Sequence, residues 1–495
     1  MSHSQGLYSV AQVRAFDTHA IDVLGIPGYT LMCRAGEAAL GALRSRWPMA
    51  TRIAVLCGGG NNGGDGYLVA RLARAAGLEV TVLALVAPAL LRGAAQRAAD
   101  DYLASGGALQ PFGAAALAGA EVLIDALLGT GLRAPLRAEF LAAIAAMNAA
   151  GKPVLALDLP SGLDGDSGAV LGAVVRADTT ITFVAPKTGL YLGDGPEYCG
   201  RVLCDDLGAV LPDDAASLPS LNCLDESDIA RALPRRDRAA HKGDFGRVLI
   251  VAGGPGMAGA ARLAGEACLR GGAGLVTVAT APENVTAILA GRPELICLGV
   301  HNAQELAALL NPATVVAIGP GLGTGPWSRA LFDLAITSGK PLVLDADALN
   351  LLAATGERAP AGTVLTPHPG EAGRLLGITP GAVQSDRIAA LRQLVQRTGA
   401  VVVLKGAGTL IGAPDRIAAL CARGNPGMAA PGMGDVLTGV IAAILGQCRD
   451  PWLAACAGVI AHSLAGDELA RVGNARGMLA LELTAGLSRW ITRAG

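Results

Sequence analysis

Three polar loops in the first half of the chain carry side chains that could bind a cation together. The first is the Gly-rich run 58–66, which contains Asn62, and the other two contain Asp125, Asp158 and Ser161. Amide, carboxylate and hydroxyl oxygens are ligands for a hard cation and do not suit zinc. The alternative is that the acidic residues only cap helices and fix the loops. Because three such loops occur in succession, the pattern favours a functional site.

The order of the predicted elements brings these three loops together. Each loop directly follows a short β-branched run that is typical of a buried strand, and parallel sheets bind ligands outside the carboxyl ends of their strands. The Gly-rich loop also leads into a predicted helix at 67–76, so its backbone N–H groups could face an anion. It lacks the Lys of a Walker A loop and does not match the dinucleotide pattern Gly-x-Gly-x-x-Gly.

A different chemistry is indicated near the end of the chain, at Gly432-Met433-Gly434-Asp435. This loop opens a predicted helix at 436–445, so its N–H groups form an anion hole. Asp435 lies within reach of the same point and could take a proton from an alcohol, which phosphoryl transfer to a hydroxyl requires. The alternative interpretation is that Asp435 is only the N-cap of this helix.

Four further polar loops of the second half also follow predicted strands. His368, which lies between two prolines, is a candidate for contact with a substrate. Lys405 and the Gly-rich turn after it suit a nucleotide phosphate, although Lys405 could also be a surface charge. The two acids at 345 and 347 are expected to be partly structural. The four loops are 319–323, 345–350, 366–371 and 405–409.

The rest of the sequence predicts two doubly wound α/β domains. Apolar β-branched runs alternate with Ala/Leu/Arg-rich helical stretches along both halves, as in repeated βα units. The Pro- and Asp-rich segment 205–238 indicates a connector with at most a short helix. We therefore expect domains at 1–218 and 219–495, which share no obvious motif and so represent a fusion, not a repeat. The predicted strands are 53–57, 80–85, 122–124, 154–157, 180–184, 248–251, 275–279, 315–318, 342–344, 364–365 and 401–404.

The composition fits this interpretation and excludes several other classes. Of the 495 residues, 52% are hydrophobic and only 3% aromatic, so large cores must consist of aliphatic residues. A net charge of −2 and a pI near 6.3 provide no basic surface for nucleic acid or an anionic membrane. No apolar run reaches the ~18 residues of a membrane span, and no secretory signal is visible. Ten scattered Cys without a Cys-x-x-Cys pair argue against a zinc site or a disulfide framework, so we expect a cytoplasmic protein.

The three loops of the first half resemble those of NAD(P)H-hydrate epimerases, as does the segment 8–38. The similar motifs are Asn-Asn-Gly-Gly-Asp at 61–65, Asp-Ala-Leu-Leu-Gly-Thr-Gly at 125–131 and Asp-Leu-Pro-Ser-Gly at 158–162. The resemblance implies a Rossmann-like three-layer domain, a potassium site at Asn62, Asp125 and Ser161, and a catalytic role for Asp158. Ala134 stands where many members have Gly. The substrate contacts that the resemblance implies are Asn61, Asn62, Gly63, Gly64, Asp65, Gly129, Thr130, Gly131, Leu132, Arg133, Ala134, Pro135 and Asp158.

The loops of the second half, in their order, resemble those of the ribokinase-like NAD(P)H-hydrate dehydratases. The stretch 241–246 and the Ala-Gly-Gly run that begins at 252 also match the start of that family. The resemblance implies ADP with Mg²⁺ as phosphoryl donor, and release of AMP and phosphate. Implied contacts to the nucleotide are Lys405, Gly406, Ala407, Gly408, Thr409 and Gly434. Implied contacts to the hydrate are Ala260, Gly321, Gly323, His368 and Asp435, with Asp435 as the catalytic residue.

The two resemblances together imply one enzyme that repairs hydrated NADH and NADPH. Hydration places a hydroxyl on C6 of the nicotinamide ring, and phosphorylation of that hydroxyl would turn a poor leaving group into a good one. The dehydratase would take the S epimer, and an epimerase in the same chain would recycle the R epimer. Its ligands would be the NADH and NADPH hydrates and ADP. We expect a homo-oligomer whose subunit number the sequence does not fix.

Two alternatives remain open at this stage. A kinase of a small alcohol could have the same fold, but it would leave the first half unexplained and would release a stable phosphorylated product. The first half could instead be a non-catalytic ligand-binding or scaffold module, although the acid and the cation ligands that such a module could lose are all present. An assay of NADH recovery from mixed hydrate epimers, with ADP and then with ATP, distinguishes these cases.

Overall fold

The computed structural model of the protein describes residues 6–132, 135–233, 235–473 and 475–493. Two expected contact residues, Arg133 and Ala134, lie outside these ranges. The chain divides into two compact units, Gly6–Ser220 and the residues from Leu221 onward. Each unit is built on its own β-sheet with flanking helices, which confirms the predicted α/β class.

The first unit is built around a sheet of seven described strands, all parallel, with helices on both faces. In the central strand Arg52–Cys57, five of the six residues are buried, and the neighbours Val55 and Leu56 join separate aliphatic clusters. Because successive side chains point to opposite faces, this burial requires a sheet that is covered on both sides. In spatial order the strands are Leu109–Pro111, Glu79–Ala84, Arg52–Cys57, Val122–Ala126, Val154–Leu157, Thr179–Phe183 and Arg201–Asp205. The helices are Val10–Asp22, Gly28–Arg46, Asn61–Ala75, Gly93–Ala104, Ala138–Ala149 and Gly195–Tyr198.

The second unit contains a mixed sheet of ten strands among its described residues. Thr409–Gly412 runs antiparallel to both of its neighbours, and the other pairs are parallel. The buried helix Met433–Cys448 packs between Ala258–Arg270 and Pro451–Arg471 in the core of this unit. In spatial order the strands are Leu221–Cys223, Ala419–Cys421, Thr409–Gly412, Val401–Leu404, Thr363–Leu365, Leu342–Leu344, Val315–Ile318, Arg247–Val251, Leu275–Thr280 and Ile296–Gly299. The helices are Ser227–Ala232, Ala258–Arg270, Val285–Gly291, Ala303–Leu310, Pro326–Ile336, Ala346–Thr355, Pro369–Leu376, Pro380–Ser385, Arg387–Thr398, Met433–Cys448, Pro451–Arg471 and Ala480–Arg493.

The eleven predicted strands are all present, and their ends differ only slightly from the prediction. The connector prediction for 205–238 is wrong at Leu221–Cys223, which is a strand parallel to Ala419–Cys421. The helix Ser227–Ala232 is the short helix that the prediction allowed. A three-residue strand whose partner lies far along the chain has no periodicity of its own, so the sequence carried no signal for it. The helix predicted at 436–445 is longer and spans Met433–Cys448.

One helix among the described residues is long and apolar enough to be compared with a membrane span. Pro451–Arg471 has 21 residues, and its most apolar window has a mean hydropathy of 1.2. However, 72% of that window is buried inside the protein, where the helix packs on Met433–Cys448 and Ala480–Arg493. Such burial is what a core helix of a folded domain shows.

Candidate functional site

The three polar loops of the first unit line one cavity of about 1030 Å³. The loops follow parallel strands, so the cavity opens at the carboxyl edge of the sheet. Gly63 and Gly64 do not line it, because they are buried in the first turn of the helix Asn61–Ala75. The expected contact residues that do line it are Asn61, Asn62, Asp65, Gly129, Thr130, Gly131, Leu132, Pro135 and Asp158.

Glycine is required where the Gly-rich loop approaches the neighbouring strand end. A Cβ added to Gly58 would lie 1.8 Å from the Leu127 carbonyl oxygen, and one added to Gly63 would lie 2.2 Å from the Gly58 carbonyl oxygen. Both distances are shorter than van der Waals contact allows, so no other residue fits without movement of the backbone. This close packing brings Asn62 to the loop that follows Asp125, where its Nδ2 donates to the Leu128 carbonyl at 3.0 Å.

The candidate cation ligands Asn62, Asp125 and Ser161 are joined by a buried hydrogen-bond network. Ser161 donates from Oγ to Asp125 Oδ1 at 2.6 Å and from its backbone N–H to Oδ2 at 2.7 Å. The Leu128 N–H donates to Ser161 Oγ at 2.8 Å. Asn62 and Ser161 therefore both contact Leu128, and Asp125 is joined to them through Ser161, although the three side chains come from three different loops.

Two features of this network fit a cation. Within the described part of the chain, Asn62 Oδ1 is buried and accepts no hydrogen bond, and an unsatisfied buried acceptor costs about 1–3 kcal/mol. Burial also raises the pKa of Asp125 to about 6, although hydrogen bonds from Ser161 act in the opposite direction. A cation beside these groups would satisfy the amide oxygen and would favour the ionised carboxylate. The residues present therefore fit a hard cation such as potassium.

The same cavity contains a buried ion pair that the sequence analysis missed. Lys187 is almost fully buried, and its Nζ donates to Asp158 Oδ1 at 2.6 Å, to Thr182 Oγ1 at 3.0 Å and to the Phe183 carbonyl at 2.8 Å. Asp158 has a φ of 63°, in the left-handed region that non-glycine residues rarely adopt. Its carboxylate is thus held in the cavity by backbone conformation and by the ammonium group together. A signal for Lys187 was available, since it follows the strand Thr179–Phe183 at the same sheet edge as the three loops.

Two further carboxylates, Asp17 and Asp65, line the cavity near this ion pair. Burial raises the pKa of Asp17 and holds that of Asp65 well above its usual range. The Asp158 carboxylate also raises both pKa values, whereas Lys187 lowers them. Asp17 was not predicted, because it lies on the helix Val10–Asp22 among other polar residues and no motif marks it.

In the second unit, Asp435 lies in the first turn of the helix Met433–Cys448. Gly432, with a φ of 85°, occupies the N-cap position, so the interpretation of Asp435 as the N-cap is wrong. Among the described residues its carboxylate has no hydrogen-bond partner. Burial raises the pKa of Asp435 to about 7, with a further increase from Asp345 and a decrease from Lys405. Such a group can exchange a proton near neutral pH, as a general base must.

Lys405 is anchored in the second unit by a buried carboxylate. Its Nζ donates to Asp345 Oδ1 at 2.7 Å, and the hydroxyls of Thr366 and Thr438 donate to the same carboxylate at 2.8 Å each. Only 19% of the Lys405 side chain is exposed, so the alternative of a surface charge is wrong. A Cβ added to Gly434 would lie 3.4 Å from Nζ, so the ammonium faces the N-terminal loop of the helix that carries Asp435.

The turn 405–409 is held by Arg387, which the sequence analysis also missed. Its buried guanidinium donates to the backbone carbonyls of Leu404, Lys405 and Gly408 at 3.1–3.4 Å. These bonds fix the turn between the antiparallel strands. Arg387 was missed because nothing in the composition of the helix Arg387–Thr398 distinguishes it from the other Arg residues there. The other expected nucleotide contacts in this turn are Gly406, Ala407 and Thr409.

The remaining expected contacts lie on two further loops of the second unit. A Cβ added to Gly321 would lie 3.0 Å from Ala260 Cβ, so these two residues are neighbours. The Gly323 N–H donates to Asp347 Oδ2 at 2.7 Å, which gives that acid the structural role expected of it.

His368 caps the helix Pro369–Leu376, because its Nδ1 accepts a hydrogen bond from the Gly370 N–H at 2.9 Å. Burial and nearby Lys405 lower its pKa, which favours the neutral imidazole.

The chain matches two protein families, one in each unit. Residues 28–189 match the family described as YjeF-related protein N-terminus, and residues 248–489 match NAD(P)H-hydrate dehydratase. The ADP/ATP-dependent NAD(P)H-hydrate dehydratase from Bacillus subtilis, co-crystallised with ATP and Mg²⁺, is 31% identical with a TM-score of 0.50; the match covers 55% of this chain and 98% of that one. A ribokinase-like superfamily protein from Enterococcus faecalis is 28% identical with a TM-score of 0.52, over 56% of this chain and 97% of that one.

Two full-length relatives extend the similarity across both units. A protein from Coxiella burnetii is 48% identical, over 96% of this chain and 97% of its own length. A protein from Escherichia coli is 45% identical, over 96% of this chain and 92% of its own length. Both relatives are described as bifunctional NAD(P)H-hydrate repair enzymes. The chain therefore belongs to the bifunctional NAD(P)H-hydrate repair enzymes, which combine a Rossmann-like epimerase domain with a ribokinase-like dehydratase domain.

Proposed function

We propose that residues 1–218 epimerise hydrated NADH and NADPH at C6, and that residues 219–495 dehydrate the S epimer with ADP as phosphoryl donor. The observation that carries this proposal is that each compact unit has its own polar site at the ends of its own strands. A small-alcohol kinase would have no use for the first cavity. A scaffold module would have no use for a buried amide oxygen that lacks a hydrogen-bond partner among the described residues.

For the dehydratase, we assign Asp435 as the base that removes the proton of the C6 hydroxyl. The hydroxyl oxygen then attacks the β-phosphorus of ADP, and AMP leaves. The N–H groups at the start of the helix Met433–Cys448 and the ammonium of Lys405 stabilise the charge on the transferring group. The C6–O bond of the phosphate ester then breaks, and loss of a proton from C5 restores the C5=C6 double bond and releases phosphate.

Mg²⁺ belongs in this proposal as the partner of the nucleotide. A relative from Bacillus subtilis was co-crystallised with ATP and Mg²⁺. Among the residues that the structure describes, no group of three or more His, Cys, Asp or Glu is placed to hold a metal ion. We therefore expect phosphate oxygens and water to supply most of the Mg²⁺ ligands, as is usual for this ion. When bound, Mg²⁺ would reduce the negative charge of the phosphates that the hydroxyl approaches.

For the epimerase, we assign the potassium site to Asn62, Asp125 and Ser161. Potassium would balance the charge of the buried Asp125 and satisfy Asn62 Oδ1, so that all three loops are fixed around the substrate. Asp158 is then a catalytic group of the cavity, and its ionised form is held there by Lys187. Because a hemiaminal carbon passes through a cationic state when its hydroxyl leaves, an ionised carboxylate beside C6 would stabilise that state.

We expect Asp125→Ala to weaken epimerisation, to shift its potassium dependence to higher potassium concentrations, and to leave dehydration unchanged. A charge-assisted contact contributes about 1.5–3 kcal/mol, which corresponds to a loss of about tenfold to hundredfold in potassium affinity. The measurement is the rate of exchange between the purified R and S epimers, followed by chromatography over a potassium titration. Glu139→Ala, which removes an exposed carboxylate from the helix Ala138–Ala149, is the control. Equal potassium dependence in Asp125→Ala and wild type would contradict the assignment of the potassium site to these residues.

Division of the chain after Ser220 is expected to give two folded pieces with separate activities. Each piece would keep its own polar site, and the seven parallel strands of the first unit and the ten strands of the second each lie within one unit. The first piece is assayed for epimer exchange, and the second for recovery of NADH from the S epimer with ADP and, in parallel, with ATP. If the first piece folds but leaves the epimers unchanged, or the second folds but forms a stable phosphorylated product, the assignment of function is wrong.

We also propose a cytoplasmic homo-oligomer. All ten Cys are free, which suits a reducing compartment. Most soluble oligomers are symmetric assemblies of identical chains. Light scattering of the purified protein measures the number of subunits.

A further inference from the structure

The cavity of the first unit contains two carboxylates that have no hydrogen-bond partner among the residues that the structure describes. Asp65 is only 9% exposed and lines the cavity, and its carboxylate forms no hydrogen bond within the described ranges. Asp17 lines the same cavity from a different helix and is likewise without a hydrogen-bond partner among these residues. The other two acids of the site differ, because Asp125 is bonded to Ser161 and Asp158 to Lys187. Asp65 is buried and Asp17 is half-buried. Because buried carboxylates are normally paired, these two unpaired ones in a ligand cavity indicate a task that involves the ligand.

The charges around these two acids favour one proton shared between them. One ammonium, that of Lys187, is bonded to Asp158 and lies near both Asp17 and Asp65. Burial and the Asp158 carboxylate raise the pKa of both acids, and Asp17 raises that of Asp65 as well. Carboxyls that share a site resist simultaneous ionisation. In the resting cavity Asp65 therefore keeps its proton more readily than Asp17 does.

Epimerisation at C6 needs two groups in opposite protonation states. C6 carries both the hydroxyl and the ring nitrogen N1, so the hydroxyl can leave as water when an acid protonates it and the N1 lone pair forms an N1=C6 bond. C6 is then planar. A water molecule that adds to the opposite face forms the new C6–O bond, returns the electron pair to N1, and gives its spare proton to a base on that face.

We propose that Asp65 and Asp17 are the acid–base pair of this reaction, one for each face of C6, with Lys187 as a positioning residue that holds Asp158. In one direction Asp65 gives its proton to the departing hydroxyl and Asp17 accepts a proton from the incoming water. One water leaves and one enters, and the proton has moved from Asp65 to Asp17. The pair is then in the state that the opposite epimer requires, so the reaction runs in both directions without any other reactant. This inference rests on the proposed epimerase function of the first unit.

The test uses the full-length protein in H₂¹⁸O, with Asp17→Asn and Asp65→Asn as variants. In the wild type, each turnover places one solvent oxygen on C6. Removal of either acid is expected to lower the rate of epimer exchange by about 10²- to 10⁴-fold, the usual contribution of an acid–base group. Each variant keeps one acid and should still exchange the C6 oxygen of the epimer whose hydroxyl lies on the face of that acid. The epimer that exchanges its oxygen should therefore differ between the two variants. A merely structural role cannot produce such a reciprocal pattern.

The control and the possible outcomes separate this inference from the proposed function. Asp22→Asn removes an exposed carboxylate from the same helix as Asp17, outside the cavity, and should epimerise within about twofold of wild type, as most surface substitutions do. If the wild type does not exchange the epimers faster than buffer, the proposed function fails. If the wild type does but retains its C6 oxygen, or if both variants exchange the oxygen of the same epimer or of neither, the acid–base assignment is wrong.

Discussion

Asp435→Asn is expected to abolish ADP-dependent recovery of NADH while epimerisation continues at the wild-type rate. A general base contributes about 10²- to 10⁴-fold to a rate, and Asn has the shape of Asp without its basicity. The change should cost little stability, because Gly432 is the N-cap and the Asp435 carboxylate has no hydrogen-bond partner in the described chain. The remaining contribution is its charge in the first helical turn, which is worth about 0.3–1 kcal/mol. The measurement is NADH absorbance after addition of ADP to the purified S epimer.

The pH dependence gives this prediction a second readout. The pKa of Asp435 is raised to about 7, so the wild-type carboxylate gains its proton as the pH falls through 7, and the rate of dehydration should fall with it. Any residual rate in Asp435→Asn should lack this step. Calorimetric binding of ADP controls for an altered nucleotide site, since we expect it to remain near normal. If Asp435→Asn dehydrates the hydrate within a few-fold of wild type, the base lies elsewhere.

Lys187→Met is expected to destabilise the first unit strongly. Removal of one partner of a buried ion pair costs about 3–5 kcal/mol, because the other charge stays behind without compensation. Lys187 is almost fully buried and its ammonium lies beside Asp158, Asp17 and Asp65, so the uncompensated charge is large. For a domain of about 200 residues, this loss corresponds to a decrease in Tm of roughly 6–20 °C. Differential scanning calorimetry of the full-length protein measures the transition of each unit.

A double variant separates the charge effect from lost packing. In Lys187→Met/Asp158→Asn a neutral amide replaces the carboxylate as well, so we expect a substantial part of the lost stability to return. The transition of the second unit should be the same in all variants, because Lys187 and Asp158 both lie in the first unit. A decrease of less than about 1 kcal/mol in the free energy of unfolding of Lys187→Met would mean that solvent screens the pair of Lys187 and Asp158 as it screens a surface salt bridge.

The sequence predicted the elements that carry local patterns and missed those that depend on distant partners. Buried parallel strands such as Val315–Ile318 are continuous apolar runs, so their positions could be read directly. The short strand Leu221–Cys223 is defined by pairing with Ala419–Cys421, which becomes its neighbour only in the fold. Its sequence carries no comparable pattern.

The same distinction applies to the sites. The site could be predicted from loops with an unusual composition, such as the run 58–66, because a dense run of glycine and asparagine is typical of a tight loop that lies close to a ligand. Lys187 and Arg387 did not, because a single Lys or Arg is ordinary on a surface, and only the fold reveals that both are buried. Asp17 was missed because it lies among other polar residues of its helix, where a single Asp is equally ordinary. The structure also changes the role of one predicted residue, since His368 caps a helix in addition to any contact with the substrate.

The strand Leu221–Cys223 has a consequence for the order in which the nascent chain can fold on the ribosome. Its partner Ala419–Cys421 is synthesised much later, after most of the second unit. The seven strands of the parallel sheet in the first unit, by contrast, pair with one another within the span 52–205. Because domains tend to fold as units in the order of synthesis, the first unit can become native and bind its ligands before the Ala419–Cys421 partner of Leu221–Cys223 has been made. A ribosome that stalls within the second unit therefore leaves behind a chain that can interconvert the two epimers but cannot return either to NADH.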